Sequence, residues 1–390
     1  MRPSLTIHSR PFKQLLQSIV FFGMAARPAH ASTEAVAVVD EEADEDDGRS
    51  FAILPGAFYS QETSVGFAAF GSYTFPVRGA GADTWPSTVT GTLVYTLENQ
   101  ASATLWTSIF LGALNDWAIE SETFVEHFPT NYYGLGPDSK ESFQLFTRRQ
   151  LASDIAVRRR IRGPFYLGVA DHLSVVDVLD AQGATTNGAS MVWTADDQLG
   201  SGQVAGGDGS RTHGLGGLAR WDTRDNNQAS RSGALVDLEL AGHPAWLGSS
   251  HPFTFAKLDV RGFVPLGKGA LAAQSLTELG FGTAPFTAMP ELGGDDLLRG
   301  MYQGRFRDRC ATAAQLELRH PIVWRFHGAA FAGAGQVAST PDGLTANSPR
   351  WTAGGGLRFE LDEDAHTRIR LDVGSGPDGT GFIINFGEAF

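Results

Sequence analysis

The sequence predicts an all-β protein, a 16-stranded antiparallel transmembrane β-barrel. Three observations carry this. From Phe51 onward, strand-length segments of alternating polarity are separated by clusters of Gly, Pro, Asn and Asp. These segments number sixteen, and a closed antiparallel bacterial barrel needs an even count. The chain also closes on an apolar, alternating segment whose last residue is Phe390. Composition agrees with the barrel. No run of 18 or more apolar residues exists, which excludes a helical membrane protein. A barrel survives that test because its lipid-facing and lumen-facing positions average to near-neutral hydropathy. A net charge of −13 over 390 residues argues against a nucleic-acid partner, and a single cysteine excludes a disulfide framework or a multi-cysteine metal site.

The elements follow in order. Residues 1–31 read as a secretory signal: Arg2, Arg10 and Lys13 form the basic region, Leu15 to Ala26 the short apolar one, and Ala29-His30-Ala31 the cleavage site, with processing near Ala31. The protein is therefore expected to be exported. Residues 32–50 hold Glu34, Asp40, Glu41, Glu42, Asp44, Glu45, Asp46 and Asp47 against Arg49 alone. Such a segment cannot bury enough apolar surface to offset its ordering entropy, so a disordered acidic linker is expected. The EF-hand spacing and its central Gly are missing, which argues against a calcium loop.

Residues 51–390 form the barrel. The expected strands are 51–59, 65–75, 87–97, 101–111, 117–127, 143–160, 165–178 and 212–222 in the first half. The second half holds 234–242, 253–264, 271–283, 310–320, 326–337, 351–361, 367–374 and 380–390. Period two is clean in several. Ala314, Leu316 and Leu318 oppose Gln315, Glu317 and Arg319, and Ile369, Leu371 and Val373 oppose Arg368, Arg370 and Asp372. Between strands seven and eight, residues 179–211 carry seven Gly with several Ser, Thr and Asp, the composition of a mobile surface loop.

At the C-terminus, Phe382, Ile384, Phe386 and Phe390 fall on alternate positions. An open strand edge of this kind is aggregation-prone, and pairing with strand one removes it. Pro55 in the first strand removes a ladder donor and Gly387 in the last weakens pairing, so a closed barrel would carry both defects on one seam. The terminal aromatic resembles the signal by which outer-membrane barrels are recognised, which implies the barrel assembly machinery as a partner during biogenesis and outer-membrane lipid as the surroundings.

Further motifs carry a family resemblance. Leu298-Arg299-Gly300-Met301, followed by Tyr302 to Asp308, resembles the Arg-Gly-aromatic motif in the sixth extracellular loop of the Omp85, or bacterial surface antigen, barrels related to BamA and TamA. Trp221-Asp222-Thr223-Arg224-Asp225-Asn226, then Gly233, resembles the turn before that family's ninth strand, and Gly355-Gly356-Leu357-Arg358-Phe359 fits as well. Counted from a periplasmic N-terminus, Arg299 falls between strands eleven and twelve, which is loop six. The resemblance implies that loop six folds into the lumen and that Arg299 meets an acid there. Glu317, on the polar face of strand twelve, is the expected partner, because a buried guanidinium needs a carboxylate. The family's second acid, in a Phe-x-Asp-x-Gly pattern on strand thirteen, is replaced here by Gly333 within Phe331-Ala332-Gly333-Ala334-Gly335. The 19 residues between Ala31 and Phe51 leave no room for a POTRA module or a lipase domain.

Seven histidines of the barrel, His172, His213, His243, His251, His320, His327 and His366, stand without a G-x-S-x-G elbow or a spaced triad, so no enzyme is expected. No His-x-x-x-His pair is present, and neither a metal nor a cofactor is expected. The resemblance implies insertion, translocation or export of a protein or lipid client, which the sequence does not identify, through a lateral seam and a loop-six plugged lumen. The alternative is a passive or selective pore whose conductance is set by Arg319, Arg368, Arg370 and Lys257 against Glu317, Asp372 and Asp259.

Overall fold

The computed structural model describes residues 49–390 except 61–63, 78, 80, 82–83, 139–142, 188–189, 194–197, 200, 227–228, 346–348, 363–366 and 378. The expected signal (1–31) and nearly all of the acidic linker (32–50) lie outside the described residues. Sixteen strands form the wall. The first eight are β1 (Ser50–Ser60), β2 (Ser64–Phe75), β3 (Ser87–Thr96), β4 (Ala101–Leu111), β5 (Trp117–Tyr132), β6 (Phe143–Arg162), β7 (Phe165–Asn187) and β8 (Ser210–Asp222). The rest are β9 (Gly233–His243), β10 (Phe253–Leu266), β11 (Gly269–Gly282), β12 (Cys310–Val323), β13 (Phe326–Ala338), β14 (Arg350–Asp362), β15 (Thr367–Gly376) and β16 (Gly379–Phe386). Each pairs antiparallel with the next, from Ser60↔Ser64 between β1 and β2 to Gly376↔Gly379 between β15 and β16. β1 comes alongside β16, bringing the two ends of the sheet together. The result is an all-β, 16-stranded antiparallel transmembrane barrel, and every expected strand is present.

Alternation sets the two faces. On β12, Leu316 and Leu318 are exposed towards lipid while Gln315, Glu317 and Arg319 are buried in the lumen. On β15, Leu371 and Val373 face out while Arg370 and Asp372 face in. Short turns close one rim, such as Gly267-Lys268 between β10 and β11, where Gly267 adopts φ +57°, as a two-residue hairpin requires. Long connections crowd the other rim.

Two expectations are corrected. The 179–211 connection is not a plain loop: β7 continues to Asn187 and pairs back with a short strand, Ser190–Trp193. Beyond it, Leu199 and Val204 are buried against Tyr132, Phe146 and Phe286. The last strand is also shorter than expected and does not reach Phe390. Phe382 and Ile384 face outward, but β16 ends at Phe386, and Gly387 (φ +76°) turns the chain inward. The physical reason is Glu388, a carboxylate that lipid would not solvate and that lumen arginines accept. Phe390 follows it inside, next to Phe263.

Candidate functional site

Loop six, the β11–β12 connection, enters the lumen and lies against β12–β15. A two-residue ladder, Glu291–Leu292 with Phe306–Arg307, shapes its base. Leu292, Leu298, Met301 and Phe306 pack with Ala311, Ala313 and Val337, so the loop carries its own apolar core against the wall. The wall under it is flat because it is made of glycine. A Cβ on Gly333 would come 2.9 Å from Leu298 Cδ2, and one on Gly335 would come 2.7 Å from Leu298 Cδ1. At Gly300 (φ +95°) the backbones themselves touch: a Cβ there would meet the Gly374 carbonyl carbon at 2.3 Å. Gly333 thus takes up loop six through shape, in the place where the family pattern has an acid.

Arg299 projects from this loop into a site with no solvent exposure. Its Nη1 donates to Asp372 Oδ2 at 2.6 Å, and its Nη2 lies 2.5 Å from Glu317 Oε2, an ion-pair contact rather than an aligned hydrogen bond. The guanidinium carbon stands 3.6 Å from the centre of the Phe331 ring, a cation–π contact in a desolvated place. Around this core the charges continue. Arg319 Nε donates to Glu317 Oε1 at 2.6 Å, and its Nη2 donates to the Phe390 carbonyl at 2.8 Å. Arg358 pairs with Asp372 and, through Nε, with Glu388 Oε2 at 3.1 Å. Arg368 Nη1 reaches Glu388 Oε1 at 2.7 Å, and Arg370 Nη2 reaches Asp296 Oδ1 of loop six at 2.7 Å. Burial alone would raise the Glu388 carboxyl; Arg319, Arg358 and Arg368 outweigh it and hold it down at about 2.

The structure therefore brings Arg299, Gly300, Met301 and Glu317 together in one site. It places Pro55 within β1, with its side chain exposed, and Gly387 at the inward bend after β16. Phe386 is the last residue of β16. Asp372 and Arg319 were expected only as lumen charges, while Arg358, Glu388 and Phe331 enter the site without having been singled out for it.

A second anchor holds the outer part of loop six. Arg307 pairs with Glu291 and donates to the Phe286 carbonyl at 2.8 Å, and Tyr302 Oη lies 3.2 Å from Thr130 Oγ1 on β5. Burial pushes Glu291 up, but Arg307 and Arg148 outweigh it and keep the carboxyl below its ordinary value.

The facing wall is built differently. A cavity of about 270 Å³ lies inside β4–β7 and β9, lined by Trp106, Glu120, Glu122, Asp154, His172 and Glu239. His172 Nδ1 sits 2.6 Å from Asp154 Oδ1, and its other ring nitrogen pairs with Glu239. Glu120 meets both Arg158 and Arg220, which share Asp237. Alternation marks Asp154 and His172 as lumen-facing. Their contact depends on hairpin register across the 163–164 turn, including the shift at Arg160/Arg162, which the sequence pattern does not reveal.

A plug arginine between two carboxylates, inside a 16-stranded wall, is the geometry at issue when known proteins are compared. A family model described as the Omp85 superfamily domain matches residues 194–387, which include loop six and every acid that Arg299 touches. The chain carries an Omp85 superfamily domain. Barrels of this superfamily sit in the bacterial outer membrane. BamA from Haemophilus ducreyi lacking POTRA domains 1-3 is similar in structure, with a TM-score of 0.54 and 11% identity over 88% of this chain and 70% of that one. CdiB from Acinetobacter baumannii is similar with a TM-score of 0.50 and 11% identity, covering 87% of this chain and 60% of that one. At such identity the likeness is one of fold. No curated protein sequence matches the chain significantly.

Proposed function

We propose that this Omp85 barrel inserts or exports a protein or lipid client at the outer membrane, with loop six as a removable plug and the β1/β16 contact as a lateral exit. The observation that carries the reading is the fully buried Arg299–Glu317–Asp372 cluster. Taking one partner from a buried pair typically costs about 3–5 kcal/mol, so the plug is held firmly. Among the described residues, Arg299 Nε, Arg319 Nη1 and Arg370 Nε and Nη1 have no protein hydrogen-bond acceptor, so the cluster keeps donors that water or a client in the lumen can use. The seam fits an exit: β16 has 8 residues, β1 contains Pro55, and the chain leaves β16 at the Gly387 bend.

Planar-bilayer recording tests this. Wild type is expected to be nearly closed, and Arg299→Ala to open to a larger, fluctuating conductance, with loop six becoming accessible to protease. A stable, wide, ion-selective conductance in wild type that Arg299→Ala leaves unchanged would instead establish a passive pore. The exit is tested separately by a disulfide between β1 and β16: unimpaired function in the locked form would remove the seam from the mechanism.

A further inference from the structure

The barrel is acidic as a whole, yet the short-turn rim from β6 to β11 is basic. β6 ends in Arg158-Arg159-Arg160-Ile161-Arg162, Arg231 lies in the β8–β9 connection, and Lys268 in the β10–β11 turn. Arg159, Arg162, Arg231 and Lys268 are all exposed, and among the described residues none of the four forms an ion pair. The neighbouring acids are engaged within their own turns. Asp222 takes Arg224 at 2.8 Å, and Asp225 accepts the backbone N–H groups of Arg231 and Ser232 at 3.0 and 3.2 Å. Asp116 folds its carboxylate back over Gly112. The positive charge is left facing outward.

Two contacts fix how this charge is presented. Arg231 Nη2 donates to the Lys268 carbonyl at 2.9 Å, with the Gly267 and Gly269 carbonyls at 3.4 Å, which pins two cationic residues side by side across neighbouring turns. Arg159 lies with its guanidinium carbon 5.3 Å from the Trp117 ring centre, the posture of an arginine whose stem follows the apolar band while its head reaches the interface. Just above the rim, on the lipid-facing surface, Trp117, Phe165, Trp221, Val264 and Leu266 are exposed, forming the aromatic and aliphatic girdle of a membrane boundary.

Cations directly beneath an apolar girdle match one chemistry, a phosphate ester carried on acyl chains. We propose that this rim is a binding surface for anionic phospholipid in the leaflet it meets. The headgroup phosphate sits on the Arg231/Lys268 pair with its acyl chains against Trp221 and Leu266, and Arg159 and Arg162 form a second cationic patch farther along the same rim, beside Trp117 and Phe165. Guanidinium groups suit phosphate oxygens geometrically, and each cation near an anionic surface adds to the attraction. The surface centres on β8–β10, across the barrel from the β1/β16 contact, so it anchors the wall that does not open.

The full-length protein in detergent, exposed to phosphatidylglycerol and phosphatidylethanolamine, is assayed for retained lipid by native mass spectrometry. Wild type should retain phosphatidylglycerol with at least about tenfold preference. Replacing Arg159, Arg162, Arg231 and Lys268 with Gln should abolish the preference, whereas Lys at the three arginine positions should keep most of it. Arg149→Gln removes an exposed charge nearer the opposite end of β6 and should change nothing. A heat-modifiable gel shift reports that each variant is folded, and should the fourfold variant fail it, Arg162→Gln with Lys268→Gln carries the test with a partial loss. Equal retention of both lipids by wild type, an undiminished preference in the folded variants, or displacement of the lipid by excess inorganic phosphate would overturn the proposal.

Discussion

The two lumen walls of this barrel share a strand architecture and differ in what they hold. On β12–β15, a glycine floor lets loop six approach to backbone contact, and buried arginines and carboxylates clamp it there. On β4–β7, Thr130, Tyr132 and Phe146 meet the outer part of loop six, and the same strands also line a cavity that includes His172. Closing a barrel demands only pairing and alternation, and both walls satisfy that. Holding a plug demands close approach and charge pairs made with the plug itself: β12–β15 supply both through Arg299, whereas Glu120, Arg158 and Arg220 of the facing wall pair within the wall. The family model covers the second half of the chain, where β12–β15 lie.

The largest effect should come from filling the floor. A Cβ on Gly374 would lie 2.4 Å from the Arg299 carbonyl oxygen, so neither backbone can yield without moving the loop. Gly374→Val should displace loop six outright, at a cost of about 1–3 kcal/mol or more, and should open conductance and protease access at least as much as Arg299→Ala. Gly217→Val, on β8, meets nothing within 4 Å and should leave both unchanged. A plug that stays seated in Gly374→Val would mean that the floor is not what positions it.

Next in size is acid sensitivity, which distinguishes the clamped wall through Glu388. Its carboxyl is held down at about 2 against a usual value of 4.5, so its pairing stabilises the fold above the usual value and is lost as pH falls from there towards 2. The contribution is about 3 kcal/mol at most. The temperature of the heat-modifiable shift should therefore be flat between pH 5 and 8 and fall below about pH 4. Glu388→Gln should lower it at neutral pH and flatten the acid limb. An acid limb identical in the variant would assign the sensitivity to other carboxylates.

How much of this was legible differs between wall and site for a physical reason. Strands are written locally, in the alternation of Leu316 and Leu318 with Glu317 and Arg319, and all sixteen were readable. Arg299 and Glu317 were readable because the resemblance supplied loop six and alternation supplied the face. Asp372 was visible as a lumen charge, but its meeting with Arg299, 73 residues away, depends on how far the loop reaches across three strands. The inward turn at Gly387 was hidden because Phe382, Phe386 and Phe390 keep the period of a strand while Glu388 breaks its logic. The β7 extension was hidden by composition: 23 residues exceed the roughly 9–11 that cross a bilayer, and the surplus lacks clean alternation and runs into the Gly-rich 179–211 connection, which reads as loop.

The smallest effect should appear on the other wall. His172 sits between Asp154 and Glu239, 17% exposed, and touches nothing in loop six. Its ring and two carboxylates contribute charge to the lumen without clamping anything, so replacing it should retune the lumen field and leave the plug seated. His172→Gln should keep wild-type protease resistance of loop six and closed-state conductance. In the Arg299→Ala background, where the lumen is open, it should shift the cation preference of the conductance by about twofold or less. If His172→Gln alone released loop six, the two walls would be coupled, and the contrast between a wall charge-paired with the plug and one paired within itself would have to give way to a single network spanning the lumen.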